Sequence, residues 1–137
     1  MKNTDTLIGD LQERAKELRC LYEVEKALNN VNRPMSETMA EVVAAIGPGW
    51  QFPEACEAAI ELEGQVFTSP GYIETPCSLE TPIEVQGEEV GQVKVSYTAP
   101  CPEEDTGPFL DEEVRLLESI ADRLGHYLLF KKLQGMG

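Results

Sequence analysis

The chain has 137 residues, one domain by length, with 11 Lys and Arg against 25 Asp and Glu, a net charge of −14 at pH 7. Hydrophobic residues make up 42%, enough for one core, and no apolar run is long enough to span a membrane. The acidity sits in the middle: residues 35–113 hold one cation, Lys94, against 17 carboxylates. Such a surface repels a phosphate backbone and lacks the basic cluster that clamps a nucleotide, so nucleic acid is not an expected partner, and with no spanning run neither is a membrane.

The first predicted element is a helix over 4–30. Leu7, Leu11, Arg14, Leu18, Leu21, Glu25 and Leu28 recur in steps of four and three, an amphipathic stripe with two polar intrusions. Asn29, Asn30 and Pro34 end it. A second helix, 35–46, has Met39, Val42, Val43 and Ile46 on one side and is broken by Gly47-Pro48-Gly49.

The strand region runs over 57–98. Ala58, Ile60 and Leu62 alternate with Ala59, Glu61 and Glu63, a strand with one wet face, and Glu63-Gly64 turns it into a short partner near Gln65. Pro70, Gly71, Pro76 and Pro82 predict that 70–82 is mostly loop. Ile83 and Val85 begin a further strand, Gln86-Gly87-Glu88-Glu89 turns it, and Val93, Val95 and Tyr97 mark the return. Ala99-Pro100-Cys101-Pro102 stops the sheet, and Glu103-Glu104-Asp105 reads as an exposed acidic loop.

A last helix is predicted over 109–133. Leu110, Val114, Leu117, Ala121, Leu124 and Leu128 form one stripe; Leu116, Ile120, Tyr127 and Phe130 form another beside it. A helix with two apolar faces needs two partners. The sheet supplies one, and the first helix or a second copy of the chain supplies the other.

The four cysteines, Cys20, Cys56, Cys77 and Cys101, include no C-x-x-C pair, which removes the common zinc and thioredoxin-type spacings. The N-terminus has no apolar signal-peptide segment, so a cytoplasmic chain with four free thiols is expected, Cys77 being the most open to reaction. The single histidine, His126, lies deep in the last helix, far in sequence from every cysteine. No metal ligand set and no cofactor motif is recognised.

The last helix opens with Gly107-Pro108-Phe109 and continues Glu112-Glu113-Val114-Arg115-Leu116-Leu117-Glu118-Ser119-Ile120-Ala121. With Gly49-Trp50-Gln51-Phe52-Pro53-Glu54, Ala59-Ile60-Glu61-Leu62 and Val90-Gly91-Gln92-Val93, it resembles the GAF family of sensory domains over nearly the whole chain. These segments look like a short variant of the family that serves as the input domain of signalling proteins such as sensor histidine kinases. The resemblance implies an α+β fold, an antiparallel sheet with N- and C-terminal helices packed on one face, as a single domain over 1–137. It implies a non-catalytic signal-input or regulatory role, relaying to an output domain in cis or to a signalling partner. The stretch from Gly64 to Leu79 is too short for the helices that roof the ligand pocket of full-size relatives.

The alternative reading is a thiol-dependent redox enzyme of the same fold, similar to the reductases of free methionine sulfoxide, although their cysteine-bearing strand motifs are absent. Trp50, Phe52, Phe67, Tyr72, Cys77 and Tyr97 are the candidate ligand-binding set, being the large apolar or reactive groups outside the stripes. The interrupted stripe of the first helix and the second stripe of the last point to a parallel homodimer through Leu7, Leu11, Leu18, Leu21, Leu28, Leu116, Ile120 and Tyr127.

Overall fold

Two hairpins build the sheet, and each turns on a pair of residues with positive φ. Glu63 and Gly64 (φ 50° and 85°) make one turn and Gln86 and Gly87 (φ 53° and 84°) the other. This is the backbone of a two-residue type I′ turn, whose twist matches that of the strands and whose second position favours glycine. The computed structural model describes residues 2–50, 55–98 and 111–136. They form α1 (Lys2–Leu28), α2 (Met35–Ile46), a 3-10 turn (Gly47–Gly49), β1 (Cys56–Leu62), β2 (Gln65–Thr68), β3 (Ser78–Val85), β4 (Glu88–Tyr97) and α3 (Asp111–Met136). The Gln51–Glu54 part of the GAF-like motif, Phe109, Leu110, Cys101 and the acidic loop fall outside the described residues.

The fold is α+β. Its antiparallel sheet has the order β2-β1-β4-β3, so β1 and β4 are central. Ile60 faces Val93 and Phe67, Ala58 faces Val95, and Cys56 faces Tyr97. Directly opposite residues share a face, so these side chains form one apolar surface. Ala58, Ile60, Val93 and Val95 are fully buried there. Helix α2 lies against β1 and β2, and α3 against β3 and β4. Each fully buried Leu or Ile on α3, such as Leu117, Ile120 and Leu124, removes apolar area worth about 1.5–3 kcal/mol.

Strand β3 begins at Ser78, where a loop is predicted. Pro82 does not prevent this because β3 is an edge strand, where a missing N–H can face away from the neighbour. The strand is irregular between Ile83 and Glu84.

Helix α1 packs on α2, the 3-10 turn and α3. Its buried side is Cys20, Val24, Ala27 and Leu28, rotated from the predicted Leu stripe. This layer supplies the second partner that α3 needs. Leu116 (4% exposed), Ile120 (0%) and Tyr127 (3%), expected at an intersubunit surface, are buried within the chain itself. That corrects their assignment to an interface. The physical reason is that α1 runs parallel beside α3 and covers the second stripe: Leu21 shares a groove with Leu116, and Leu28 shares one with Tyr127.

Polar contacts set the register of α1 and α3. Arg123 Nε pairs with the Glu25 carboxylate. Lys131 Nζ donates to the carbonyls of Val31 and Arg33, both at 2.9 Å, and so holds the α1–α2 connection. Replacing Lys131 with Met should loosen residues 29–34, seen as faster amide exchange there, and cost roughly 1–2 kcal/mol in denaturant unfolding for the two charge-assisted bonds.

Candidate interaction surfaces

The outer sheet face carries Glu57, Glu61, Lys94 and Ser96 and is covered by the segment 69–77 rather than by a helix. Ser69 is stitched to β1: its N–H donates to Ala58 O, its Oγ accepts from Ala58 N–H, both at 2.9 Å, and its hydroxyl donates to the Glu57 carboxylate. Thr75 is stitched to β4, with its Oγ1 2.8 Å from Ser96 Oγ and donating to Tyr97 O at 3.0 Å. Lys94 Nζ donates to Glu74 at 3.2 Å, and this bond raises the Lys94 pKa. Beneath this strap, Ala59, Val66, Tyr72, Gln92 and Lys94 line a cavity of about 130 Å³.

The expected aromatic set is not assembled there. Trp50 (0% exposed) and Tyr97 (1%) are core residues, and Phe67 faces Ile60 on the inner side of the sheet. Of the described members of the set, only Tyr72 lines the outer cavity. Phe52 lies outside the described residues. Cys77 is buried and disulfide-bonded, with a partner outside the described residues, so the expectation of four free thiols is corrected at this position. The Cys77 carbonyl accepts from Tyr97 N–H at 2.9 Å, anchoring the segment that carries it to β4. Nothing in the cysteine spacing announces this bridge.

Cys20 and Cys56 are free and buried. Burial pushes the Cys20 thiol up to about 12, with the Glu17 carboxylate adding to it. Burial does the same to Cys56, aided by Glu113, Glu57 and Cys20. Neither thiol supplies a thiolate at neutral pH. Thiol titration should therefore find neither reactive in the native protein at pH 8, and both reactive in denaturant. Because these folded pKa values lie above the unfolded value of about 9, the stability they contribute is complete below pH 9 and lost as pH rises toward 12. Chemical denaturation at pH 8, 10 and 11 measures that fall.

The outward side of α1 is a different surface. Leu11 (58% exposed), Leu18 (68%) and Tyr22 (62%) stand seven and four residues apart, on one face with Ala15. Leu18 and half-buried Leu21 line a groove against Arg115 and Ser119 of α3; farther along, Glu25 and Asn29 face His126 and Phe130. Phe130 of α3 is also exposed, beside Glu25, Asn29 and His126. Of the expected interface residues, Leu11 and Leu18 are thus on the surface, Leu28 is buried, and the Leu7 side chain lies outside the described residues.

A third surface is the groove between α1 and α2, about 840 Å³, with Cys20, Ala27, Ala44 and Ala45 among its lining residues. Lys16, Arg19 and Lys26 stand along its α1 side. Among the described residues, no three His, Cys, Asp or Glu side chains are grouped to hold a metal ion, and no helix is long and apolar enough to cross a membrane. No protein-family model and no curated protein matches the chain, so the likeness to GAF domains rests on the residues quoted for it.

Proposed function

We propose that the chain is a GAF-like, non-catalytic signal-input module, of the kind found before sensor histidine kinases, and that it acts as a parallel homodimer. The observation that carries this reading is the exposed stripe of Leu11, Leu18 and Tyr22, beside α3 and in heptad-like spacing, on a helix whose other described apolar side is buried. A second copy of the same stripe is its natural complement, since a twofold interface is self-complementary. Parallel α1 and α3 helices in such a dimer would bring both C-termini to one end, where a shift of α3 reaches an output domain or a signalling partner.

Two features favour relay over small-molecule capture or catalysis. On the outer sheet face the cavity, at about 130 Å³, is below the roughly 300–1,000 Å³ of ordinary ligand sites, and the larger groove, about 840 Å³, lies away from that face between α1 and α2. The free thiols Cys20 and Cys56 are protonated and buried, which disfavours a sulfoxide reductase mechanism. The disulfide at Cys77 weighs against the cytoplasmic placement expected from the sequence, because such bonds are rare in mesophilic cytosol. Sedimentation velocity at tens of micromolar tests the reading: a dimer supports it, and a monomer overturns it.

A further inference from the structure

We infer that the groove between α1 and α2 docks an acidic amphipathic helix of a partner protein. This goes beyond the relay reading and uses a separate surface. At 100° per residue, Arg19, Glu23 and Lys26 lie about 100° around the α1 axis from the Leu11–Leu18–Tyr22 stripe. The groove follows α1 from Lys16 to Ala27, roughly 16 Å at the helical rise, which accommodates three turns of a visiting helix.

Its shape comes from small side chains. Cys20, Ala27 and Ala45 lie low between the two helices, and Ala44 is exposed beside them. The Cys20 thiol is turned inward, donating to the carbonyls of Ala45 at 3.4 Å and Ile46 at 3.6 Å. The floor is therefore apolar toward a visitor, and the absence of long side chains allows a backbone to approach closely.

Its charge selects the partner. Arg19 and Lys26 are exposed and make no salt bridge among the described residues. Lys16, at one end of the groove, is engaged, its Nζ donating to Trp50 O at 3.3 Å. Of the two lining carboxylates, Glu41 is occupied by Arg33, which donates to it at 2.8 and 3.1 Å, leaving Glu23. The rim is thus net positive on a chain of net charge −14. A helix with a narrow Ala/Leu face flanked by Glu or Asp satisfies both floor and rim, and a basic helix of the same shape is repelled.

The test uses the full chain and two fluorescein-labelled 18-residue peptides, an Ala/Leu stripe flanked by Glu and its counterpart with Lys at every Glu. Fluorescence anisotropy should detect binding of the acidic peptide only. Amide shifts should centre on Cys20, Ala27, Ala44 and Ala45. Arg19→Glu with Lys26→Glu should weaken binding at least tenfold, and Ala44→Trp, which fills the groove from an exposed position, should abolish it with circular dichroism unchanged. Binding should persist in Leu18→Asp, which separates this surface from the dimer face. No binding of the acidic peptide, equal binding of both peptides, or undiminished binding by the double variant would overturn the proposal. So would loss of self-association in that double variant, which would assign the groove to a second copy.

Discussion

Leu18→Asp should convert a dimer into a folded monomer. Leu18 is 68% exposed within the chain, so the substitution leaves the core intact and should change unfolding stability by no more than about 0.5 kcal/mol. Across a twofold interface the same change acts twice. Each copy loses the burial of a Leu, about 1.5–3 kcal/mol, and gains a carboxylate that must be desolvated on association. Together these amount to at least roughly 3–6 kcal/mol of dimer stability, or more than a hundredfold in dissociation constant. Leu116→Asp supplies the contrast: at 4% exposure it belongs to the core between α1 and α3, and it should unfold the chain rather than dissociate it. Sedimentation paired with circular dichroism distinguishes the outcomes. If Leu18→Asp sediments as wild type, the exposed stripe is not the interface.

How far this arrangement is legible in the sequence depends on which interaction sets each feature. The turns at Glu63-Gly64 and Gln86-Gly87 are local, and the structure has them where the sequence predicts them. The same holds for α2, bounded by Pro34 and Gly47-Pro48-Gly49. Helix α1 is harder. Its leucines suggest one stripe, but burial follows Cys20, Val24, Ala27 and Leu28, because α2 and α3 both press on it and small residues suit the close crossing. The two stripes of α3 show that two partners are needed without saying which. Only the parallel packing of α1 assigns Leu116, Ile120 and Tyr127 to the core. The outer face depends on contacts distant in sequence, such as Ser69 with Ala58 and Thr75 with Ser96, which leave no periodic signal. For the same reason the aromatic residues cannot be sorted in advance: Trp50 and Tyr97 go to the core, and Tyr72 goes to the outer face.

Gly125→Ala should destabilise the fold, against the ordinary rule for a helix interior. In an exposed helix, replacing Gly with Ala gains about 0.5–1 kcal/mol, because it restricts the unfolded chain and favours helix. Gly125 is buried in α3, where that helix crosses β3, and a Cβ there would lie 2.4 Å from the Glu84 carbonyl oxygen and 3.9 Å from the Ile83 side chain. The close obstacle is backbone, so no rotamer change relieves it. Either α3 lifts from the sheet or β3 shifts, and β3 is already irregular between Ile83 and Glu84. Lifting α3 also weakens the burial of Ile83, Leu124 and Leu128, all at most 1% exposed. Overpacking of this kind costs typically 1–3 kcal/mol, so after the propensity gain a net loss of about 1–2 kcal/mol is expected. For a chain of this size that lowers the melting temperature by roughly 3–10 °C. Gly9→Ala is the matched control: no heavy atom lies within 4 Å of its added Cβ, and the helix rule should hold there. Thermal melts of the two variants beside wild type should move in opposite directions. If Gly125→Ala is neutral or stabilising, the approach of α3 to the Glu84 carbonyl is not what positions this helix on the sheet.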